Sequence, residues 1–326
     1  MKIIKSNNQG IELINVTNEA GLSVTFTNLG AAIFSIKYFN QDMTYQPKNI
    51  KDFLKENVYH GKTIGRVAGR IRDGEFVIDG TTYHVSNNEG KNTLHGGHGG
   101  FSEKYFSVEI IESSDKAEII YSYISKDGEC GFPGEANVKV HYFISNNLPE
   151  LKVQFECEVS EKCPISLTNH GYFCLGEANI NNFAMKLNSS KYVDMDPFDL
   201  TLNGAKEVPY YLNFKTKRTL LETIEHPEIN IGKLCGYDHV MLLDDSDIKK
   251  PQIELSSKHF EVDIYTDFDA VVMYSDNYEA GFIANNSSES IRRGMAIEPQ
   301  LNPLNDRTLE PGKLFNHFIL YKFSRL

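Results

Sequence analysis

Apolar and polar residues alternate with a period of two along much of this chain. The alternation is clearest at 22–27, 138–144, 151–159 and 260–264, where every second residue is apolar. Successive side chains of a β-strand point to opposite faces of the sheet. The pattern therefore predicts half-buried strands, with one face on a core and the other toward water.

Turn and helix signals complete the predicted architecture. Asp79-Gly80 lies between two alternating segments, and glycine accepts the positive φ that a two-residue hairpin turn needs, so we expect a hairpin there. Only 51–58 and 218–225 have a helical pattern, and both are short. Because strands and helices do not alternate, an α/β fold is disfavoured. We expect residues 1–326 to form a single domain, a large antiparallel all-β sandwich.

Composition excludes several classes of protein. The 326 residues are 40% hydrophobic, which is enough for a sizeable core, and 33 basic against 44 acidic residues give a formal charge of −11. This acidic balance argues against binding to nucleic acid or to an anionic membrane surface. No segment approaches the roughly 18 apolar residues of a membrane span. The first residues lack the apolar core of a signal peptide.

The cysteines point to the cellular compartment. There are five of them, an odd number, scattered without paired spacing. A disulfide framework or a four-cysteine zinc site is therefore not expected. We interpret the chain as a reduced, cytoplasmic protein.

The first candidate for chemistry is His170, in the stretch 167–173. It follows Asn169 and precedes Tyr172 and Phe173. An imidazole titrates close to neutral pH and can donate or accept a proton, while aromatic neighbours exclude water and offer a face to the C–H groups of a sugar. The alternative interpretation is a structural histidine within a strand.

Two arginines form a second candidate. Arg66 and Arg70 are four residues apart in the stretch 65–71, a spacing that puts both side chains on the same face of a strand. A buried arginine needs several acceptors, which a polyol or a carboxylate supplies. Surface salt bridges are the alternative.

A glycine-rich loop at 92–100 holds His95 and His98. Glycines let the backbone approach a ligand closely. A zinc ion takes three or four ligands and the chain shows no partner motif for these two histidines, so we expect no metal site. A plain flexible turn is the alternative.

The remaining candidates are carboxylates. Asp238 precedes a predicted strand, where turn chemistry is an equally good explanation. Glu298 ends an apolar segment, and a carboxylate at the mouth of a buried strand is a reasonable place for a base with a shifted pKa. A solvated strand end is the alternative for Glu298.

Together, these motifs resemble those of the aldose 1-epimerases, also called galactose mutarotases. Six motifs follow one another in family order and span nearly the whole chain, at 65–71, 92–97, 127–134, 168–173, 237–239 and 298–300. The resemblance implies a β-supersandwich with an open cleft across one sheet. It also implies a reaction on free aldohexoses that uses no cofactor and no metal.

The resemblance further implies a role for each site residue. Glu298 is the general base that takes the proton from the C1 hydroxyl, and His170 is the general acid that protonates the ring oxygen. The ring opens, rotates about C1–C2 and recloses on its other face. The residues that hold the sugar are His95, Arg70, Asp238, Tyr172 and Gln300. We expect Glu298 to be ionised while His170 is protonated, with Asp238 raising the basicity of the imidazole.

Some positions depart from the family pattern. Cys174 and Gly69 stand where the family often has Asn, and Leu304 stands where it often has Asp. None of these positions is a proposed catalytic residue, so the departures bear on the preferred sugar.

Two other functions remain open from the sequence. A hexose-6-phosphate 1-epimerase of related fold would need a cationic grip on the phosphate, for which the candidates are Arg292, Arg293 and Arg307. A non-catalytic carbohydrate-binding protein is the third hypothesis. As the partner we expect a small aldohexose, without nucleic acid or membrane, and either a monomer or a homodimer.

Overall fold

The computed structural model describes residues 1–56, 58–245, 247–279 and 281–326, and most of their regular structure is extended. In chain order the strands are β1 (Lys2–Asn8), β2 (Ile11–Thr17), β3 (Leu22–Thr27), β4 (Ala32–Tyr38), β5 (Gln41–Asp42), β6 (Thr63–Ile64), β7 (Arg70–Ile71), β8 (Glu75–Ile78), β9 (Thr81–His84), β10 (Thr93–Leu94), β11 (Ser107–Glu112), β12 (Lys116–Ser125), β13 (Ala136–Ser145), β14 (Glu150–Val159), β15 (Cys163–Pro164), β16 (Thr168–Asn169), β17 (Tyr172–Phe173), β18 (Ala184–Leu187), β19 (Ser189–Met195), β20 (Leu202–Glu207), β21 (Arg218–Thr219), β22 (Asp238–Leu243), β23 (Ile253–Ser256), β24 (Phe260–Thr266), β25 (Ala270–Tyr274), β26 (Met295–Gln300), β27 (Thr308–Leu309) and β28 (Phe315–Arg325).

Helical structure is sparse. It consists of α1 (Ile50–Phe53) and of short 3-10 turns at Arg72–Gly74, Phe101–Glu103, Glu129–Gly131, Ile180–Asn182, Tyr210–Leu212, Leu220–Glu222 and Pro227–Ile229. Across the four described segments, no helix has the length and apolar character needed to cross a membrane.

Three antiparallel sheets carry the fold. Within the described residues, the largest has nine strands in the order β11-β12-β13-β14-β28-β24-β23-β18-β21, the second has six in the order β17-β26-β25-β22-β19-β20, and the third runs from β1 to β5. Buried side chains from all three sheets belong to one hydrophobic core. The all-β sandwich predicted from the alternation is confirmed.

The predicted alternation appears directly in the burial of the strands. In β14, Leu151, Val153 and Phe155 are fully buried, whereas the intervening Lys152 and Gln154 are half-buried. Removing this apolar surface from water stabilises the folded sheet, at about 25 cal/mol per Å² buried. Strand β14 therefore has one face in the core and one toward solvent.

The hairpin prediction is also confirmed. Strands β8 and β9 pair antiparallel across a two-residue turn. Asp79 and Gly80 both have positive φ, 49° and 80°, as a type I′ turn requires.

The two helix predictions are less accurate. At 51–58 the helix is reduced to α1, capped by the side chain of Asn49, and residue 57 lies outside the described residues. The helix prediction at 218–225 is wrong, because β21 and one 3-10 turn occupy this stretch. Thr219 and Glu222 do form a capping box, but Pro227 follows closely and cannot continue a helix.

The six-stranded sheet brings the candidate residues together. Strands β22, β25 and β26 are neighbours, and their register aligns Asp238 with Tyr274 and Val272 with Glu298. Directly opposite residues in antiparallel strands point to the same face. These side chains therefore share the face of the sheet that points away from the hydrophobic core.

Candidate active site

A cleft of about 370 Å³ lies over this face of the six-stranded sheet. Its walls come from segments that connect the strands of the smaller sheets. The lining includes Tyr59, His60, Gly69, Arg70, Glu89, His95, His170, Tyr172, Met195, Asp238, Val240, Val272, Tyr274, Glu298, Gln300 and Pro303. All seven residues for which the sequence predicts a catalytic or sugar-holding role thus line one cleft.

Glu298 and His170 face each other in this cleft. Nε2 of His170 lies 3.3 Å from Oε1 of Glu298. His170 is only 4% exposed and Glu298 only 2%. The strands fix the pair, because β17 pairs with β26 and the Thr168 hydroxyl donates to the Pro299 carbonyl at 2.6 Å. Two residues far apart in sequence are therefore held within proton-transfer distance.

The surroundings of the pair disfavour charge on either partner. Burial, reinforced by Asp238 and opposed by Arg70, raises the pKa of Glu298 to about 8. Burial lowers the pKa of His170 to about 3. At neutral pH the pair is therefore uncharged, with the titrating proton on Glu298.

Two expectations about these charges are wrong. The sequence led us to expect an ionised Glu298 beside a protonated His170, but desolvation favours the neutral pair. We also expected Asp238 to act on the imidazole, whereas it raises the pKa of the Glu298 carboxyl. Asp238 and Glu298 lie on the same face of the sheet, on the two strands that flank β25, and Asp238 pairs with Arg70.

Aromatic rings hold the imidazole of His170 in place. The ring lies between Tyr172, with centroids 4.9 Å apart, and Tyr59, with centroids 5.6 Å apart, and both neighbours are nearly parallel to it. His60 stacks on the other face of Tyr172 at 4.0 Å. This packing restricts rotation of the His170 ring and keeps Nε2 directed at Glu298.

His95 is oriented by the backbone. Strands β7 and β10 pair, the backbone N–H of His95 donates to the Gly69 carbonyl at 3.0 Å, and the Gly69 N–H donates to Nδ1 of His95 at 3.3 Å. Burial, with His170 and Arg70 nearby, holds the pKa of His95 well below its ordinary value. A neutral imidazole that accepts at Nδ1 carries its proton on Nε2, so His95 is a hydrogen-bond donor.

The glycine-rich loop has a structural purpose. Gly96 has a φ of 90°, and a Cβ there would lie 2.1 Å from the carbonyl oxygen of Gly65. Only glycine fits this close approach, which turns the chain directly after His95. His98 is exposed and pairs with Glu56 instead of lining the cleft.

Arg70 is held by two carboxylates. Glu89 accepts from Nε and Nη2 of Arg70 at 2.7 and 2.9 Å, a bidentate geometry, and Asp238 lies 3.6 Å from Nη2. Among the described residues, the one hydrogen-bond partner of Nη1 is the Met195 sulfur, at 4.0 Å. One N–H edge of the guanidinium is therefore available to an acceptor in the cleft.

The prediction that Arg66 and Arg70 share one face is wrong. Arg66 is buried outside the cleft, where it donates to the Ser125 hydroxyl and to the carbonyls of Pro133 and Lys126. The two arginines do not lie on one strand, since only Arg70 belongs to β7. Arg66 is a structural residue.

Gln300 presents an amide without partners at the end of β26. Neither its nitrogen nor its oxygen has a hydrogen bond within the described residues. A Cβ added at Gly69 would come within 3.5 Å of this amide. The amide atoms themselves are buried, and Gly69 and Gln300 both belong to the lining of the cleft.

Cys174 and Leu304, the other two positions that depart from the family pattern, do not line the cleft. Cys174 is buried and its thiol donates to the Asp42 carbonyl at 3.2 Å. Leu304 is exposed. Of the three positions, only Gly69 lines the cleft.

His95, His170 and Glu298 also form a candidate cation site, because one ligand atom from each lies within 4.8 Å of the others. Sequence spacing had suggested only His95 with His98. Zinc needs an imidazole lone pair, and a metal-bound histidine normally donates its second N–H to an acceptor. His95 shows the reverse arrangement, since its Nδ1 accepts from Gly69. The trio therefore does not fit a resident zinc ion.

The arginines considered for a phosphate grip are engaged elsewhere. Arg293 is fully buried in an ion pair with Asp276 at 2.8 Å, and Arg292 pairs with Glu225. Arg307 donates to the Ala68 carbonyl. None of the three lines the cleft.

Sequence reasoning missed Tyr59, His60, Glu89 and Tyr274, which all line the cleft. Tyr59 and His60 stand shortly before the arginine motif, and Glu89 stands shortly before the Asn-Thr-Leu-His motif. Proximity to a motif was the one available signal. It does not say which neighbouring side chains turn toward the site.

Comparison with known proteins agrees with this geometry. Residues 12–322 match the family model for aldose 1-epimerase. Galactose mutarotase from Homo sapiens is 31% identical over 290 residues, covering 84% of this chain and 82% of that protein. Aldose 1-epimerase from Escherichia coli strain K12 is 25% identical over 336 residues, covering 97% and 96%.

Solved structures share the fold. The galactose 1-epimerase of Lactobacillus acidophilus NCFM superposes with a TM-score of 0.89 at 23% identity, over 99% of this chain and 98% of that one. An aldose epimerase homologue from C. elegans gives 0.85 at 22% identity, over 97% and 99%. The sandwich is therefore of the galactose mutarotase type, and the chain belongs to the aldose 1-epimerase family, whose isomerases interconvert the anomers of aldoses.

Proposed function

We propose that the protein interconverts the α- and β-anomers of free aldohexoses such as galactose and glucose, with Glu298 and His170 as its acid–base pair. The observation that carries the proposal is the 3.3 Å contact between these two groups in a cleft of about 370 Å³. General acid–base catalysis requires both groups within reach of the protons they move. The galactose and aldose epimerase names of the relatives support the choice of substrate.

The reaction moves two protons and breaks one ring bond. Glu298 takes the proton of the C1 hydroxyl while His170 gives a proton to the ring oxygen, and the C1–O5 bond breaks to give the open-chain aldehyde. After rotation about C1–C2, the groups exchange roles and the ring closes on the other face of C1. Each proton-transfer partner typically contributes about 10²–10⁴-fold.

Sugar binding supplies the ionised form of the pair. The neutral pair and the ion pair contain the same number of protons, so one transfer across 3.3 Å interconverts them. Sugar hydroxyls that donate to the carboxylate lower the pKa of Glu298, and acceptors near the imidazole favour its protonation. The ligand thereby offsets the desolvation that keeps the empty pair uncharged.

The remaining groups hold the sugar in a fixed orientation. His95 offers its Nε2–H near the ring oxygen, Arg70 offers the free edge of its guanidinium, and Asp238 accepts from a hydroxyl. The Gln300 amide both donates and accepts, as a hydroxyl does, and the Tyr172 ring borders the cleft beside them.

Polarimetry tests the proposal. The purified protein should accelerate equilibration of fresh α-D-glucose or α-D-galactose, and Glu298→Gln or His170→Asn should each remove most of the acceleration. An exposed histidine–glutamate pair offers a matched control, since His84 lies 3.2 Å from Glu75 on the β8–β9 hairpin. His84→Asn and Glu75→Gln should leave the rate unchanged.

Two outcomes would overturn the proposal. Acceleration of hexose 6-phosphates alone would favour the phosphate-specific alternative, and sugar binding without acceleration would favour a non-catalytic carbohydrate-binding protein. Circular dichroism of each variant separates a loss of chemistry from a loss of folding.

A further inference from the structure

A second cavity, which we call the rear cavity, lies on the other side of strand β22. It has a volume of about 140 Å³, and its lining includes His239, Glu228, Asp194 and the rings of Tyr192 and Tyr211. Asp238 and Val240 of β22 face the cleft, whereas the intervening His239 faces the rear cavity. A single water needs roughly 10–15 Å³ of such volume, so the rear cavity has room for a much larger molecule.

His239 directs an unpartnered donor into the rear cavity. The residue is 6% exposed, and its Nδ1 accepts the backbone N–H of Asp238 at 3.1 Å. Burial, only partly opposed by Asp238, lowers the pKa of His239 to about 4, so the ring is neutral and carries its proton on Nε2. In the part of the chain that the structure describes, nothing accepts from this Nε2–H. This Nε2–H is therefore available to a ligand oxygen in the rear cavity.

The wall of the rear cavity also contains acceptors. The Glu228 side chain is exposed, and its carboxylate has no ion-pair or hydrogen-bond partner among residues 1–56, 58–245, 247–279 and 281–326. Asp194, by contrast, is already bound to Lys206 at 2.8 Å. Glu228 is therefore the free acceptor of this cavity.

Aromatic and apolar side chains complete the wall. The rings of Tyr192 and Tyr211 border the cavity, together with Ile231, Leu234 and Met195. Aromatic rings have an electron-rich face, on which the C–H groups of a pyranose can pack. The rear cavity thus combines a flat apolar surface with separate donor and acceptor groups.

Charge decides between classes of ligand. The lining contains two carboxylates and, within the described chain, no lysine or arginine, which disfavours an anion. A cation is disfavoured too, because the Nε2–H of His239 would direct its partly positive hydrogen at it. A hydroxyl satisfies both kinds of group, because it accepts from His239 and donates to Glu228.

We propose that the rear cavity is a second carbohydrate site, which binds a neutral pyranose between His239 and Glu228 against the Tyr192 and Tyr211 rings. The site goes beyond the proposed function, since neither Glu298 nor His170 lines it. Among the described lining residues, Met195 alone borders both the cleft and the rear cavity.

Imidazole signals in a ¹H–¹⁵N spectrum test the proposal on the full-length protein. Titration with D-galactose or D-glucose should shift the His239 ring signals to saturation, and the His170 and His95 signals report the cleft separately. Ile231→Trp fills the rear cavity and should abolish the His239 shift while mutarotation continues at the wild-type rate. Glu228→Gln should weaken binding at the rear cavity about tenfold, as expected for the loss of a charged hydrogen bond.

A matched control and a second ligand sharpen the test. Glu207→Gln changes an exposed carboxylate on the neighbouring strand β20 and should leave the His239 titration unchanged. Glycerol, which has hydroxyls but no ring face, should shift the His239 signals much less than a hexose at equal concentration.

Three results would overturn the rear site: an unchanged His239 signal at sugar concentrations that saturate the cleft, an equal response to glycerol, or a shift that survives Ile231→Trp. Absence of mutarotation with an intact His239 titration would instead overturn only the proposed function. The two proposals therefore fail separately.

Discussion

Replacing Glu298 with Gln should stabilise the protein, and by more at pH 7 than at pH 5. Burial raises the pKa of this carboxyl from its ordinary 4.5 to about 8 in the folded protein. A group whose pKa is raised by folding contributes stability that is fully present below the unfolded pKa. That stability is lost as the pH rises toward the folded value. Glutamine has nearly the same shape and does not titrate.

The size of the effect follows from the two pKa values. Between pH 5 and pH 7 the unfolded carboxyl completes its ionisation, whereas the folded one keeps its proton. At about 1.4 kcal/mol per unit, the wild type loses about 2–3 kcal/mol over this interval and the variant does not. His170 also titrates differently in the two states, but it is present in both proteins and cancels in the comparison. The change is a large part of a typical stability of about 5–15 kcal/mol.

Urea unfolding of both proteins at pH 5 and pH 7 measures the difference directly. The stability gap between Glu298→Gln and the wild type should widen by about 2–3 kcal/mol at the higher pH. Glu75→Gln, at a half-exposed carboxylate beside His84, should show no such widening. A gap that is equal at both pH values, or a variant less stable than the wild type at pH 7, would refute the reasoning.

Three further predictions concern the cleft. The Glu298–His170 pair loses its titrating proton near pH 8 and gains a second one only well below pH 5. We therefore expect kcat/KM to be flat from pH 5 to 7 and to fall above about pH 8. A fall in kcat/KM on the acid side, with a midpoint near pH 6.5, would contradict this. Glu89→Gln should raise KM about tenfold at unchanged kcat, since it weakens the bidentate grip on Arg70; an unchanged KM would show that the grip is dispensable. Gln300→Leu removes an amide without hydrogen-bond partners and should stabilise the protein by about 1 kcal/mol in urea unfolding. The same variant should have a higher KM in polarimetry. A destabilised variant would show that the Gln300 amide does have partners in the folded protein.

The fold class was accessible from the sequence because burial follows the period of the strand. Every second residue of 151–159 is apolar, and these are the residues that β14 buries. The Asp79-Gly80 turn was accessible for a similar local reason, since its backbone geometry depends on two residues. The helix prediction at 218–225 was wrong because a helical pattern over a few residues does not determine the structure that forms, and a short strand and one 3-10 turn occupy this stretch.

The candidate site was partly accessible. Its seven predicted residues lie in five of the six short motifs, and all seven line the cleft. Their environment was not accessible, because desolvation and neighbouring charge depend on what packs around each group. That is why the sequence predicted an ionised Glu298, whereas burial favours the neutral form.

By itself, the order of apolar and polar residues determined that this chain folds into a β-sandwich, and the motifs predicted which side chains carry the chemistry. Only the tertiary structure decided which groups meet. The pairing of β17 with β26 puts His170 against Glu298, Glu89 clamps Arg70, and His239 turns away from the cleft into a second cavity. The physical reason is that strand pairing joins distant residues and the pleat decides the face on which each one lies, and neither is local to a motif.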